Sequence, residues 1–155
     1  MKIKWWAFFA ALIMLFSFVG CGDKGDVLID AEALAADISE LFVASDIELV
    51  QLNAESVDIR YGIGGLYDFI YAEASITVSS DEILVVEAKD EDKAAKIFEM
   101  LGVYRDERAE LFASYAPEQV SKLEDALLER AGKYVIFVAS DSTDEAEKIW
   151  KEYKG

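Results

Sequence analysis

The feature that most constrains this chain is an apolar run at residues 5–19, which follows two positive charges at Lys2 and Lys4. Only Ser17 interrupts the run. A basic start, an apolar segment of about 7–15 residues and small residues beyond it are typical of a secretory signal peptide. The alternative is an uncleaved transmembrane anchor, but residues 5–20 fall short of the roughly 17–20 residues that a spanning helix needs. The sequence therefore predicts a signal peptide at residues 1–20.

The sole cysteine, Cys21, lies directly after the apolar run in the stretch Phe18-Val19-Gly20-Cys21-Gly22. This stretch resembles the lipobox of bacterial lipoproteins, although Phe18 stands where that motif usually has leucine. The resemblance implies that the Cys21 sulfur receives a diacylglycerol and that the chain is cut before Cys21. Cys21 would then anchor the protein to the cell membrane on its extracytoplasmic face, with residues 21–29 as a short tether. Ordinary signal cleavage after Gly22 and a buried free cysteine are the alternatives.

The chain carries 31 acidic and 15 basic residues, which gives a formal net charge of −16 at pH 7. Without residues 1–20 it has 13 basic and 31 acidic residues, or −18. This balance argues against nucleic-acid binding, which needs a basic face. The chain has no His and one Cys, so His bases, imidazole metal sites, internal disulfides and Cys-only zinc sites are excluded. We expect no metal and no cofactor. The acidic surface is expected to attract cations or a basic protein partner, or to serve only solubility.

Residues 30–155 alternate between helical and strand patterns and predict a single α+β domain. Four helical patterns each begin at a capping residue, namely Asp30, Asn53, Asp90 and Ser142. Two β-hairpins are predicted, from residues 69–76 with 83–88 and from residues 127–130 with 134–139. The expected architecture has two layers, an antiparallel sheet of about four strands with helices covering one face.

Residues 92–98 and 144–150 are similar in sequence, and each segment follows a strand pattern and an Ala-x-Asp step. The offset between the two units is 51 residues in the strands and 52 in the helices. The pattern indicates a possible ββα pseudo-repeat, although any strand that leads into a capped helix recruits similar residues. If the repeat is real, four apolar helix residues pack on the same side of one sheet: Ile97, Phe98, Ile149 and Trp150.

No segment has the pattern of a catalytic site. The glycines at residues 62–65 follow a helix and precede a strand, so they indicate a turn and not a phosphate cradle. Residues 141–145 resemble a helix cap more than a calcium loop. Adjacent carboxylates, such as Asp81-Glu82, are interpreted as solvated because the chain has so many acids. Four sheet aromatics are candidates for a binding platform or for simple packing: Tyr67, Phe69, Tyr71 and Tyr134.

From about residue 30 onward the chain resembles the bacterial domain-of-unknown-function family 4358, whose members are small lipoproteins of Firmicutes. The segments that carry this resemblance are residues 61–63, 81–83, 87–90, 115–118, 122–124 and 132–135. Ser121 stands where the family is expected to have proline. The resemblance implies an extracytoplasmic, membrane-tethered α+β domain. It implies no activity, so it identifies no catalytic residue.

These observations favour a surface-anchored lipoprotein that acts as a binding or interaction module without catalysis of its own. One alternative is a carboxylate-dependent enzyme that acts on cell-wall or glycan material, which would need two carboxylates facing each other across a cleft. A second alternative is a structural or assembly factor in an envelope complex, which would expose a large apolar patch.

Overall fold

A computed structural model of the chain describes residues 27–44 and 47–155. The predicted signal peptide and the predicted lipidation site Cys21 lie outside the described residues. Within the described part, no helix is long and apolar enough to cross a membrane.

The described residues build one antiparallel sheet of five strands in the order β1-β2-β3-β5-β4. The strands are β1 (Val50–Gln51), β2 (Tyr67–Ala74), β3 (Glu82–Ala88), β4 (Leu127–Ala131) and β5 (Tyr134–Ala139). The α+β class and both predicted hairpins, β2–β3 and β4–β5, are confirmed. The sheet has one strand more than expected, because the two-residue edge strand β1 is too short to leave a pattern in the sequence.

Five α-helices surround this sheet in the described part of the chain. They are α1 (Ala31–Ala44), α2 (Ala54–Tyr61), α3 (Glu91–Tyr115), α4 (Val120–Glu124) and α5 (Thr143–Lys154). Asp90 caps α3 by accepting a hydrogen bond from the Lys93 amide, and Asn53 caps α2 through the Ser56 amide.

The helices cover both faces of the sheet, so the expected two-layer arrangement with helices on one face is wrong. Leu84 and Val86 of β3 pack with α2, α3 and α4, whereas the alternate residues Ile83 and Val85 pack with α1 and α5. Successive strand residues point to opposite faces. Because β3 and β5 are apolar at nearly every position, each face of the sheet has to be covered.

The predicted packing of the two similar units on one side of the sheet is also wrong. Ile97 of α3 lies in the core on one face, whereas Trp150 of α5 lies in the core on the other, where Ile149 also packs. Phe98 is partly exposed. Two residues separate β3 from α3, but three separate β5 from α5. The two units thus differ by one residue in the connection from strand to helix. At this connection the chain leaves the sheet towards one face in the first unit and towards the other face in the second.

The two ends of the sheet are distinct. The start of the described chain lies at one end, where Val27 and Gly132 of the β4–β5 turn line a common cleft. Glu82 begins β3 at the other end and pairs with Ala139, the last residue of β5. With about 3.3 Å per residue, the seven residues of β3 separate these ends by roughly 23 Å.

Candidate functional site

Glu82 is the most unusual charged residue of the described chain, because its side chain is 0% exposed. Its carboxylate points to the face of the sheet that α2 and α3 cover. Removing a carboxylate from water costs several kcal/mol unless ion pairs and hydrogen bonds replace its hydration. The donors around Glu82 therefore decide whether this arrangement is stable.

Three side chains supply those donors. Arg60 of α2 donates from Nε (3.1 Å) and Nη2 (3.0 Å) to Oε2 of Glu82. The hydroxyl of Tyr61 donates to the same oxygen at 3.0 Å. The hydroxyl of Tyr104 in α3 lies 2.9 Å from Oε2 and 3.2 Å from Oε1. We call Arg60, Tyr61, Glu82 and Tyr104 the Glu82 cluster.

Local structure brings these four residues together. Tyr61 is the last residue of α2, and Gly62 ends that helix in the left-handed conformation with φ 69° while donating its amide to the Asp58 carbonyl. The helix end at Gly62 turns the chain directly after Arg60 and Tyr61, the two donors that α2 supplies. The Tyr61 and Tyr104 rings meet edge to face with centroids 4.8 Å apart, and the Arg60 guanidinium lies 5.8 Å from the Tyr104 centroid.

Electrostatics hold Arg60, Tyr61 and Tyr104 each in one protonation state. Burial raises the pKa of Tyr61 and of Tyr104, and the negative charge of Glu82 raises each further. Both hydroxyls therefore keep their protons and remain donors. Burial lowers the pKa of Arg60, but the charge of Glu82, the two phenols and the hydrogen bond to Glu82 together outweigh burial and leave the pKa raised. The cluster is thus a closed ion pair with two neutral phenols.

A groove of about 420 Å³ lies over the cluster between α2 and α3. Its volume falls in the range of about 300–1,000 Å³ that is usual for small-ligand sites. Arg60 is 25% exposed, so its outer edge faces the groove. The groove is lined by Arg60, Tyr61, Glu99, Met100, Val103, Tyr104 and Glu107.

A second arginine lies on the other side of this aromatic group. The Arg108 guanidinium is 5.9 Å from the Tyr104 centroid and 4.7 Å from the Phe112 centroid. Its Nε is buried and has no hydrogen-bond acceptor among the residues that the structure describes. Tyr115 stacks on Phe112 with centroids 5.0 Å apart and is about half exposed.

Another polar cluster lies at the same end of the sheet. Lys122 of α4 bridges Asp81 and Asp141 with Nζ–Oδ2 distances of 3.0 Å to each. Asp81 is 5% exposed, whereas Asp141 is 77% exposed. Burial lowers the pKa of Lys122, but its hydrogen bonds to Asp141 and Asp81 raise it by more, so the amine stays protonated. This cluster ties the loop between β2 and β3 to α4.

The interpretation of Asp81-Glu82 as a solvated pair is wrong, since both carboxylates are buried against basic partners. The four sheet aromatics do not share one surface. Tyr67 packs on the α3 face, Phe69 and Tyr71 pack on the other, and Tyr134 is buried there. A β-bulge between Tyr67 and Phe69 accounts for this change of face.

The glycines at residues 62–65 form a turn between α2 and β2, in agreement with the sequence. Gly64 donates its amide to Oδ1 of Asp58 at 2.8 Å. Asp141 and Thr143 lie at the start of α5, where Thr143 donates to the Ser140 carbonyl. In the described part of the chain, no group of three or more acidic, His or Cys residues is arranged to hold a metal ion.

Sequence reasoning missed the members of the Glu82 cluster as a group. Tyr61 and Tyr104 lie on two helices far apart in the chain, and no motif marks Arg60 or Arg108 as part of a site. The burial of Glu82 had one sequence signal. It directly precedes the continuous apolar run at residues 83–86, which predicts a strand buried on both faces.

Comparison with protein families gives one match, which covers residues 45–140 and is described as "Domain of unknown function (DUF4358)". This range includes the whole Glu82 cluster, Arg108 and all five strands. No curated protein and no solved structure matches the chain.

Proposed function

The chain belongs to the DUF4358 family, and from this premise we propose that it is a lipoprotein anchored to the extracytoplasmic face of the cell membrane, where it acts as a binding module. The anchoring is supported by Cys21, which directly follows a basic start and an apolar run. The diacylated cysteine carries two chains, the number that a stable anchor requires. The proposed tether is residues 21–29, of which Val27 and Ile29 already pack against the fold.

The observation that carries the binding role is the groove of about 420 Å³ above a closed Glu82 cluster. General acid–base catalysis needs a group that can gain or lose a proton at the substrate. Glu82 is enclosed by Arg60, Tyr61 and Tyr104, and Lys122 is held protonated between two aspartates. These groups support a rigid floor for a ligand rather than the two facing carboxylates of a glycan-cleaving enzyme.

Long-range charge favours particular partners for this module. With −18 on the chain after residue 20, anionic lipid headgroups repel the domain, and the domain stands off the membrane. The same field speeds encounter with cations or a basic protein partner and disfavours nucleic acid.

The anchoring is tested with Cys21→Ala in cells, with Ser17→Ala as the matched control inside the apolar run. We expect Cys21→Ala to lose labelling by palmitate and to leave the processed membrane fraction, either by release or as an uncut precursor. Ser17→Ala is expected to behave like the parent. Normal processing, labelling and membrane attachment of Cys21→Ala would refute the lipoprotein proposal.

The binding role is tested by blocking the groove. Val103 lines it and is 59% exposed, so Val103→Lys places a long charged side chain over the cluster without disturbing the core. Ile59→Lys makes the same change on α2 at a side chain that is 80% exposed and does not line the groove. Partners cross-linked to the anchored parent and to Ile59→Lys are expected to be lost from Val103→Lys in quantitative mass spectrometry. Equal capture by all three proteins contradicts the groove as the binding site.

A further inference from the structure

Among the residues that the structure describes, Arg108 differs from the other three arginines in having no hydrogen-bond acceptor. The remaining three each donate to an oxygen: Arg60 to Glu82, Arg105 to Asp106 at 2.8 Å, and Arg130 to the Gly132 carbonyl at 3.2 Å. The chain holds about two acids for every base, so acceptors are abundant. The interactions of Arg108 with the described residues are instead with aromatic rings.

The positions around Arg108 on α3 account for this isolation. Side chains three and four residues away on a helix are its neighbours. For Arg108 these are Tyr104, Arg105, Leu111 and Phe112, and none of them is acidic. The helix carries acids at other positions, so the absence of acids at these four leaves a positive charge on an apolar surface.

The geometry leaves the outer edge of the guanidinium available. Nε is the buried atom of Arg108 that lacks an acceptor among the described residues, whereas the residue as a whole is only half-buried, so the rest of the guanidinium lies towards the surface. The rings of Tyr104 and Phe112 lie against the guanidinium and restrict its motion, so less side-chain entropy remains to be lost on binding. A planar fork fixed in this way matches the two oxygens of a carboxylate or phosphate.

Two carboxylates, Glu99 and Glu107, line the groove beside Arg108, but none of the ion pairs among the described residues joins either of them to Arg108. Arg60, on the same Tyr104 ring, is neutralised by Glu82, so the Glu82 cluster contributes almost no net charge. Arg105 lies one turn before Arg108 and adds a second positive group, although it pairs with Asp106. Arg108 is thus a local positive point beside the groove on a strongly acidic protein.

We propose that Arg108 binds an oxyanion, a carboxylate or phosphate group carried by the ligand, through its terminal nitrogens. This inference rests on the proposed function because it names the chemical group that the binding module recognises. The ligand then combines an oxyanion at Arg108 with a portion that enters the neighbouring groove. A basic protein partner meets both requirements, because its net positive charge suits the acidic domain and one of its carboxylate or phosphate groups binds Arg108.

The test follows the side-chain Nε–Hε signals of the four arginines by NMR. The full chain, labelled with ¹⁵N and held in a non-ionic detergent free of phosphate, is titrated separately with inorganic phosphate and with acetate. Chloride is replaced at constant ionic strength so that screening does not change. We expect the Arg108 signal to shift in a saturable manner while those of Arg60, Arg105 and Arg130 stay in place. A response to phosphate alone, to acetate alone or to both supports the proposal and tells which oxyanion is preferred.

Variants supply the controls. The backbone amide of Phe112 reports on the same site when Arg108 is replaced. Its response is expected to persist in Arg105→Lys, to vanish in Arg108→Met, and to need roughly fivefold or more anion in Arg108→Lys, which keeps the charge but loses the fork. A parallel drift of all four arginine signals, or no shift at Arg108, would overturn the proposal. That result leaves the proposed function intact if Val103→Lys still loses its partner, so the two failures are distinguishable.

Discussion

Replacing Glu82 with glutamine tests whether the buried ion pair stabilises the fold. The substitution keeps the size of the side chain but removes the charge that Arg60, Tyr61 and Tyr104 surround. Hydrogen bonds to charged groups contribute about 1.5–3 kcal/mol each, and breaking a buried pair by removing one partner costs about 3–5 kcal/mol. Arg60 is partly exposed and recovers some hydration, so the lower end applies.

We therefore expect Glu82→Gln to lower the free energy of unfolding by about 3 kcal/mol. For a domain of this size the melting temperature falls by roughly 10 °C. Urea unfolding followed by circular dichroism measures the change, and an unaltered dependence on urea concentration shows that the folded state is otherwise intact. Arg60→Met, alone and combined with Glu82→Gln, completes a double-mutant cycle. The double variant is expected to lose less free energy of unfolding than the two single variants lose when their changes are added.

Glu87→Gln is the matched control. Glu87 lies in the same strand and pairs with Lys133, but both side chains reach solvent. Its replacement is expected to cost far less, since exposed ion pairs contribute little. If Glu82→Gln lowers the free energy of unfolding no more than Glu87→Gln does, the donors around Glu82 contribute no more stability than an exposed ion pair. The argument that the Glu82 cluster forms a rigid floor then fails.

Three further results are expected. Burial raises the pKa of Tyr61 and Tyr104, so the unfolded chain loses those phenolic protons at a lower pH than the folded chain does. The free energy of unfolding therefore falls as the pH rises above about 10. Urea unfolding at a series of pH values measures this fall, and tyrosinate absorbance follows the ionisation. Gly62→Ala is expected to cost about 1 kcal/mol, because its φ of 69° suits glycine. Gly102→Ala, inside α3 with no close contact, is expected to stabilise by about 0.5–1 kcal/mol, so thermal melts of the two variants shift in opposite directions.

The strands were predictable because their patterns are local. Residues 83–86 of β3 and all residues of β5 are β-branched or apolar, and Gly132 supplies the positive φ that the β4–β5 turn uses. The sequence also contains a pattern that indicates helices on both faces of the sheet. A strand that is apolar at consecutive positions, as at residues 83–86 and 135–138, has no face for water. The choice of face after each strand depends on the connection, which pattern alone does not resolve.

The candidate site was beyond prediction because its members come from distant parts of the chain. Glu82, on a strand, lies 22 residues after Arg60 of one helix and 22 residues before Tyr104 of another. Nothing in the periodicity of one element says which polar residue of another lies against it. Composition even pointed the other way, since 31 acids make any single carboxylate look solvated. Burial of Glu82 follows only once β3 is known to be a central strand.

The two ends of the sheet connect the anchoring proposal to the oxyanion proposal. Val27 marks the end where the chain enters the fold, and Glu82 lies roughly 23 Å away along β3. Tyr104 meets Glu82 at that far end, and Arg108 follows one turn later on α3, farther from the entry point. If Cys21 holds the domain to the membrane, the tether enters the fold at the end of the sheet opposite Arg108. A ligand that approaches from the far side then reaches Arg108 more readily than the phosphates of the anchoring membrane, and we propose such a ligand as the source of the oxyanion.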